Sequence, residues 1–350
     1  GQGVLLSNAE KELIQFSEKS GIPMASTLLG LSAISCHHKN YVGYLGMHGN
    51  YGPNVKTNEA DLLIAIGMRF DDRVTGDTSK YGINAKIIHI EIDPSEINKI
   101  IKADVAVNAD AKQALINLLP LINKNEYKNW MSGFKKCDEI EFNKIIKKEL
   151  NHKSKKIKMT EVIHLISEMT NGKSIIVTDV GQHQMIASRY YKFTKPKSNI
   201  TSGGLGTMGF ALPASMGAKL GQPKREVIAI IGDGGIQMTI QELATISQYN
   251  IGVKIIILNN NFLGMVRQWQ ELFFENRYSF TEMKNPDFPK IAEGYGIKNN
   301  KVENKSKLKK SIKELLDYKN AYLLEIVVEK EENVFPMVAS GDSVSNIRLE

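Results

Sequence analysis

Short apolar runs without polar alternation mark the second half of the chain. Val227–Ile231 is rich in β-branched residues, and Val253–Leu258 repeats the pattern with Lys254 as its one polar member. Such runs suit strands buried on both faces of a parallel sheet. Between them, Ile240–Tyr249 carries a helical period that sets Leu243, Ile246 and the Tyr249 ring on one side. A strand, a helix and a strand of this length predict a right-handed βαβ unit. Upstream, Asp61–Gly67 and Lys86–Asp93 read as strands of a first α/β region. Thr160 is the expected N-cap of a helix with Val162, Ile166 and Met169 on one face. Ile175–Asp179 opens a second sheet, which the helix Leu308–Tyr318 and the strand Tyr322–Val328 close. The pattern predicts an α/β protein with two doubly wound parallel-sheet domains, at residues 1–122 and 159–350, joined by a Lys-rich connection at 123–158.

Composition narrows the class. A chain of 350 residues has room for two domains, and 42% hydrophobic with 24% charged residues is ordinary for a globular protein. No apolar run approaches membrane-spanning length and no signal peptide is visible, so a cytoplasmic protein without a membrane partner is expected. Cys36 and Cys137 lie far apart and read as reduced thiols. The net charge of +7 raises the question of nucleic acid. The Lys-rich stretches Lys144–Lys158 and Lys298–Lys313 are interspersed with apolar and acidic residues, as solvated helix faces are, and no nucleic-acid-binding motif is present.

The chemistry sits just past the two clearest strands. Gly232-Asp233-Gly234 and Asn259-Asn260 each follow an apolar run, one βαβ unit apart. Ligands of open α/β sheets bind outside the carboxyl ends of the strands. Mg²⁺ takes oxygen ligands and shares them with phosphates, so Asp233, the Asn260 side chain and a backbone carbonyl, that of Phe262, form a candidate set. Gly232, Gly234, Gly235 and Gly264 would let the backbone approach a diphosphate closely. The competing reading for either motif alone is turn chemistry.

The stretch Gly232–Asn260 resembles the thiamine diphosphate signature. With Thr201–Gly209 before it and Leu263–Gln270 after it, the chain resembles the catalytic large subunit family of acetolactate synthase, from Gly1 to about Gly341. That resemblance implies a central FAD-binding type domain followed by a diphosphate-binding domain. It implies decarboxylation of pyruvate and ligation to a second 2-keto acid, pyruvate or 2-ketobutyrate, on the route to branched-chain amino acids. Thiamine diphosphate contacts would be Gly181, Gln182, His183, Gly206, Met208, Asp233, Gly234, Gly235, Asn260, Gly264 and Met265, with Met238 or Met265 wedged between the cofactor rings. Substrate contacts would be Arg73, Met265 and Trp269. FAD contacts would be Gly1, Thr27, Leu28, Met47, His48, Gly49, Arg69, Asp72, Glu91, Ile92, Asp93 and Asp110, although Gln2 stands where the family commonly has glycine. The activating glutamate is expected on an N-terminal domain outside this chain, leaving no catalytic residue here and a stretch inactive by itself. A homodimer or larger assembly and a small regulatory subunit are the implied partners. Pyruvate oxidase, glyoxylate carboligase and a non-catalytic nucleotide-binding remnant are the alternatives; the run Met265–Trp269 argues against the first two.

Overall fold

Strand formation follows the apolar runs closely. The computed structural model describes residues 1–350, and they separate into two units. One comprises Gly1–Lys148, Phe193–Lys197 and Phe335–Glu350; the other comprises Glu149–Lys192 and Ser198–Val334.

The first unit holds two small parallel sheets. β1 (Met24–Ser26) pairs with β2 (Tyr41–Tyr44), and β3 (Leu62–Ile66), β4 (Lys86–Glu91) and β5 (Val105–Asn108) form the other in that order. Its core gathers Val4, Phe16, Ile66, Ile90 and Leu115. Gly1 and Gly3 lie against the backbone of Gly67: a Cβ on Gly1 would stand 2.2 Å from the Gly67 oxygen, and one on Gly3 2.6 Å from its Cα. Gln2, between them, is exposed. The close approach expected of a glycine run therefore survives, because Gln2 faces away from it.

The boundaries differ from those the sequence pattern predicts, for reasons of packing. The connection is helical over Lys128–Glu141 and continues through a π-helical turn, Phe142–Ile146. It buries Phe134, Cys137 and Ile145. Glu141 accepts from Asn50 Nδ2 at 2.9 Å and from the Tyr51 amide at 2.6 Å, which ties this helix to the first unit. The C-terminal segment also returns there: Val338 N–H donates to the Met47 carbonyl at 2.8 Å, and Asn58 Nδ2 to Ser345 at 2.7 Å.

The second unit is one six-stranded, all-parallel sheet: β6 (Ile175–Thr178), β7 (Asn199–Thr201), β8 (Val227–Gly232), β9 (Lys254–Asn259), β10 (Lys298–Val302) and β11 (Tyr322–Val327). The spatial order is β10-β11-β9-β8-β6-β7. Every residue of β8 and β9 is buried, as strands covered on both faces require. Two charges lie inside this sheet. Lys254 donates to the carbonyls of Tyr318 and Asn320, and Glu325 on β11 accepts from Asn259 Nδ2 at 2.7 Å. Buried charges persist only when hydrogen-bonded in this way.

Three local expectations are corrected. The helix after β8 spans Glu242–Gln248, and Tyr249 is its exposed C-cap residue, 66% accessible, while Leu243 and Ile246 are fully buried. The helix at Met159–Thr170 is capped by Lys158 with Glu161 reaching back, so Thr160 lies inside its first turn. Lys298–Val302 is an edge strand rather than part of a helix; its pairing with β11 overrides the charge pattern.

Candidate functional site

The strand order of the second unit reverses at β6. The chain steps outward to β7 on one side, then returns to place β8 and β9 on the other. A crevice at the carboxyl ends of the strands forms at such a switch point. The loops leaving β6, β8 and β9 meet there and line one cleft. From β6 come Val180, Gly181, Gln182 and His183; from β8, Asp233, Gly234 and Gly235; from β9, Asn260, Phe262 and Leu263. Met208 and Met159 close its sides, and Gly264, Met265 and Val266 open the helix Gly264–Phe273 at its edge. The register explains the meeting: Gly232 pairs with Leu258, so the residues just beyond them emerge side by side.

Asp233 is 1% exposed. Burial pushes its carboxyl from the ordinary 3.8 up to about 6, partly offset by hydrogen bonds from Asn285 and from backbone amides. Asn260 Oδ1 accepts from the Phe262 N–H at 3.1 Å, an Asx-type turn that fixes its side chain. No group of three or more His, Cys, Asp or Glu is placed so that it could hold a metal ion. A metal held in this cleft would therefore rely on amide and carbonyl oxygens beside a single carboxylate.

His183 is buried, and desolvation pulls its pKa down to about 4 against the opposing pull of Asp179. The ring is neutral at pH 7, and its Nε2 is buried without a hydrogen-bond partner. An anionic oxygen seated in the cleft would supply one. Gly232 makes room for this ring: a Cβ there would stand 2.9 Å from His183 Cε1. A Cβ on Gly264 would stand 2.2 Å from Gln182 Oε1. The glycines thus admit neighbouring side chains as well as a ligand. Gln182 is held by its own Nε2, which donates to Gln268 at 3.1 Å and to the Glu332 carbonyl at 2.6 Å.

These two shifts oppose each other in thermal stability. Asp233, with a raised pKa, contributes stability that is present below about pH 3.8 and lost as pH rises through about 6. His183, with a lowered pKa, contributes stability that is present above its ordinary 6.5 and lost as pH falls towards about 4. A cation held by Asp233 would separate them, because only Asp233 must ionise to bind it. Affinity for a cation such as Mg²⁺ at this carboxylate would then fall about tenfold per pH unit below about 6, as a one-proton competition requires. Calorimetric titration across that range checks this, and a flat profile would contradict it.

Several expected residues fall elsewhere. Gly206 is exposed, with φ of +62°, and does not line the cleft. Met238 is 54% exposed and does not line it either, so Met265 is the better placed of the two methionines. Trp269 lies one helical turn beyond Met265, packed on Phe273 with ring centroids 4.8 Å apart, and is not a lining residue. Two positions that sequence reasoning passed over are central. Asp179 is fully buried and accepts from the amides of Gly209 and Ala211 at 3.0 and 2.9 Å. Asn285 donates to Asp233 at 2.6 Å. Asp179 ends a clear strand and could have been read as a cap; no local signal pointed to Asn285.

In the first unit, the strand-end residues occupy the carboxyl side of β3, β4 and β5 but are largely committed to local bonds. Glu91 accepts from the Ile92 and Asp93 amides, Asp93 from Ser95, and Asp110 caps the helix Ala111–Leu118. Arg69 pairs with Asp71, and Arg73 with Asp72 at 3.1 Å; both arginines are exposed. His48 is buried with Nδ1 at 3.3 Å from the Pro336 carbonyl. Gly49 is also buried; Thr27, Leu28 and Met47 are half-buried, while Asp72 and Ile92 are exposed.

Comparison with known proteins agrees with this geometry. Residues 1–118 match the thiamine pyrophosphate enzyme central domain, and residues 179–326 the thiamine pyrophosphate enzyme C-terminal TPP binding domain. The chain is 43% identical to an acetolactate synthase large subunit of Buchnera aphidicola subsp. Schizaphis graminum, over 100% of this chain and 62% of the relative. It is 43% identical to that of Lactococcus lactis, over 97% of this chain and 59% of the relative. It is 37% identical to the acetolactate synthase isozyme 3 large subunit of Escherichia coli, over 100% and 62%. The chain thus spans about three-fifths of these relatives' length.

Proposed function

Because this chain belongs to the thiamine pyrophosphate enzymes and is homologous over its whole length to their acetolactate synthase large subunits, we propose that it serves acetolactate synthase. The reaction decarboxylates pyruvate and joins the remaining two-carbon unit to a second 2-keto acid, giving acetolactate or acetohydroxybutyrate for branched-chain amino acid synthesis. The observation that carries this reading is the convergence of Asp233, Asn260 and the unpartnered His183 Nε2 in one cleft at the switch point.

The residues present fit a magnesium-bound diphosphate. A single buried carboxylate, an amide oxygen and the Phe262 carbonyl would hold the cation. Neutral His183 and the backbone at Gly181, Gly234 and Gly235 would meet the diphosphate oxygens. Thiamine diphosphate, when bound, supplies an electron sink for the carbanion left by loss of carbon dioxide. The chain's own part is to bind and orient: Met265 and Met208 give the cleft soft apolar walls, and Leu258 and Leu263 add apolar lining.

Three finer assignments belong to the same reading. The first unit would take FAD at the strand ends, where Gly1 and Gly3 let the backbone approach closely. Arg73, exposed and held only by its neighbour Asp72, would grip an acceptor carboxylate bidentately. Trp269 would shape acceptor choice through its helix. We also place the protein in the cytoplasm, as a homodimer or larger assembly with a small regulatory subunit; relatives are named large subunits, and no helix is long and apolar enough to cross a membrane.

The test is a product assay on the full-length gene product with pyruvate alone and with pyruvate plus 2-ketobutyrate. Acetolactate and acetohydroxybutyrate are expected, dependent on Mg²⁺ and thiamine diphosphate. Acetyl phosphate as the main product from pyruvate when phosphate and oxygen are added, or tartronate semialdehyde from added glyoxylate with pyruvate left unused, would reject the reading. Trp269→Leu is expected to lower the acetohydroxybutyrate-to-acetolactate ratio several-fold with the melting temperature little changed. An unaltered ratio would remove its role. Release of a flavin on denaturation, read from the absorbance spectrum, checks the FAD assignment.

A further inference from the structure

Asn285 stands at the centre of a polar network behind the cleft. Its side-chain nitrogen lies 2.6 Å from Asp233 Oδ2, 2.9 Å from Asn259 Oδ1 and 3.1 Å from Asn261 Oδ1. Its oxygen accepts from Gln237 Nε2 at 3.1 Å, and the same Gln237 nitrogen lies 3.0 Å from the Asp233 carbonyl. Asn259 in turn donates to buried Glu325. One amide therefore faces three oxygens with two N–H groups, and its orientation is fixed by Gln237.

The loop that carries Asn285 is itself immobilised. Met283 N–H donates to the Asn261 carbonyl at 2.8 Å, and Glu282 bridges Phe262. Pro286 restricts the backbone of Asn285 to extended conformations. Asp287 caps the helix Phe288–Gly294, whose first residue, Phe288, is fully buried in the core. An amide placed with this much support holds what it touches.

We propose that Asn285 is a positioning residue of the cation site: it pins one oxygen of Asp233 and the Asn259–Asn261 turn together, so that Asp233 and Asn260 face the cleft in fixed relation. This rests on the reading of the cleft as a magnesium–diphosphate site. Asn285 does not line the cleft; it acts through Asp233 and the turn. Partners that orient metal ligands from behind are typically worth about 10- to 100-fold in metal affinity.

The experiment uses the full-length protein and Mn²⁺ as the probe, titrated with thiamine diphosphate present and followed by calorimetry and by the electron paramagnetic resonance of free Mn²⁺. Asn285→Ala is expected to weaken Mn²⁺ binding about 10- to 100-fold, with a smaller loss in Gln237→Leu, while the metal-free melting temperature shifts little. Asn285→Ser, which keeps a donor hydroxyl, is expected to recover part of the affinity, and it serves as the reading if the alanine variant does not fold. A lowered melting temperature with unchanged Mn²⁺ affinity would leave Asn285 a structural residue and overturn the proposal. If the unaltered protein bound neither Mn²⁺ nor thiamine diphosphate, the cofactor reading would fall and this proposal with it. Full affinity in a folded Asn285→Ala variant would sink this proposal alone.

Discussion

Asp233→Ala is expected to weaken metal-dependent binding of thiamine diphosphate in the full-length protein severely, on the magnesium–diphosphate reading proposed above. Asp233 is the cleft's one carboxylate, 1% exposed, and no neighbouring His, Cys, Asp or Glu cluster could replace it. Removing one member of a buried, hydrogen-bonded charge pair costs roughly 2–5 kcal/mol of binding. That converts to a loss of affinity between about 30-fold and several thousand-fold. The metal-free protein behaves differently. Its Asp233 carboxyl is pushed up to about 6, so near pH 7 an ionised group is held in a site that disfavours it. The alanine variant is therefore expected to unfold no earlier than the parent in the absence of metal, apart from the acceptor that Asn285 loses. Calorimetry with Mg²⁺ and a paired thermal melt check both halves. Unchanged cofactor affinity would remove Asp233 from the metal set.

The second unit was legible because its strands are buried on both faces. Continuous apolar runs such as Val227–Ile231 have one stable place in an α/β fold, and the carboxyl ends of such strands carry the chemistry. Legibility failed where a contact depends on the chain's return from afar. Asn285 lies beyond β9, its helix and a loop, yet meets Asp233 at the end of β8. No local period records that. Tyr249 failed for a different reason: its position on the helical wheel was apolar, but the helix ends at Gln248 and the ring meets solvent. Lys254 and Glu325 broke the apolar rule inside central strands and are explained only by partners on other elements. In the first unit, the short strand-end acids carry weak signals. Asp93 makes the turn and Asp110 the helix cap that such residues usually make, so their sequence positions alone could not separate structure from ligand binding.

Asp179 shows how stability and site geometry meet in one side chain. It is fully buried at the end of β6, and its two oxygens take the amides of Gly209 and Ala211, the latter opening the helix Ala211–Gly221. A carboxylate at a helix N-terminus satisfies orphan donors and favours the helix dipole. Those bonds also fix the strand of loop that carries Met208 into the cleft. Gly235 is small for the same reason: a Cβ there would stand 2.4 Å from Asp179 Oδ1. Asp179→Ala leaves two buried amides unsatisfied, at about 1–3 kcal/mol each, together with a cavity. A loss of about 3–5 kcal/mol is expected in urea unfolding of the metal-free protein, with weakened thiamine diphosphate binding as Met208 loosens. Asp179→Asn keeps one acceptor and should retain roughly half of the stability. Equal losses in the two variants would mean that the charge, rather than the pair of hydrogen bonds, holds the loop in place.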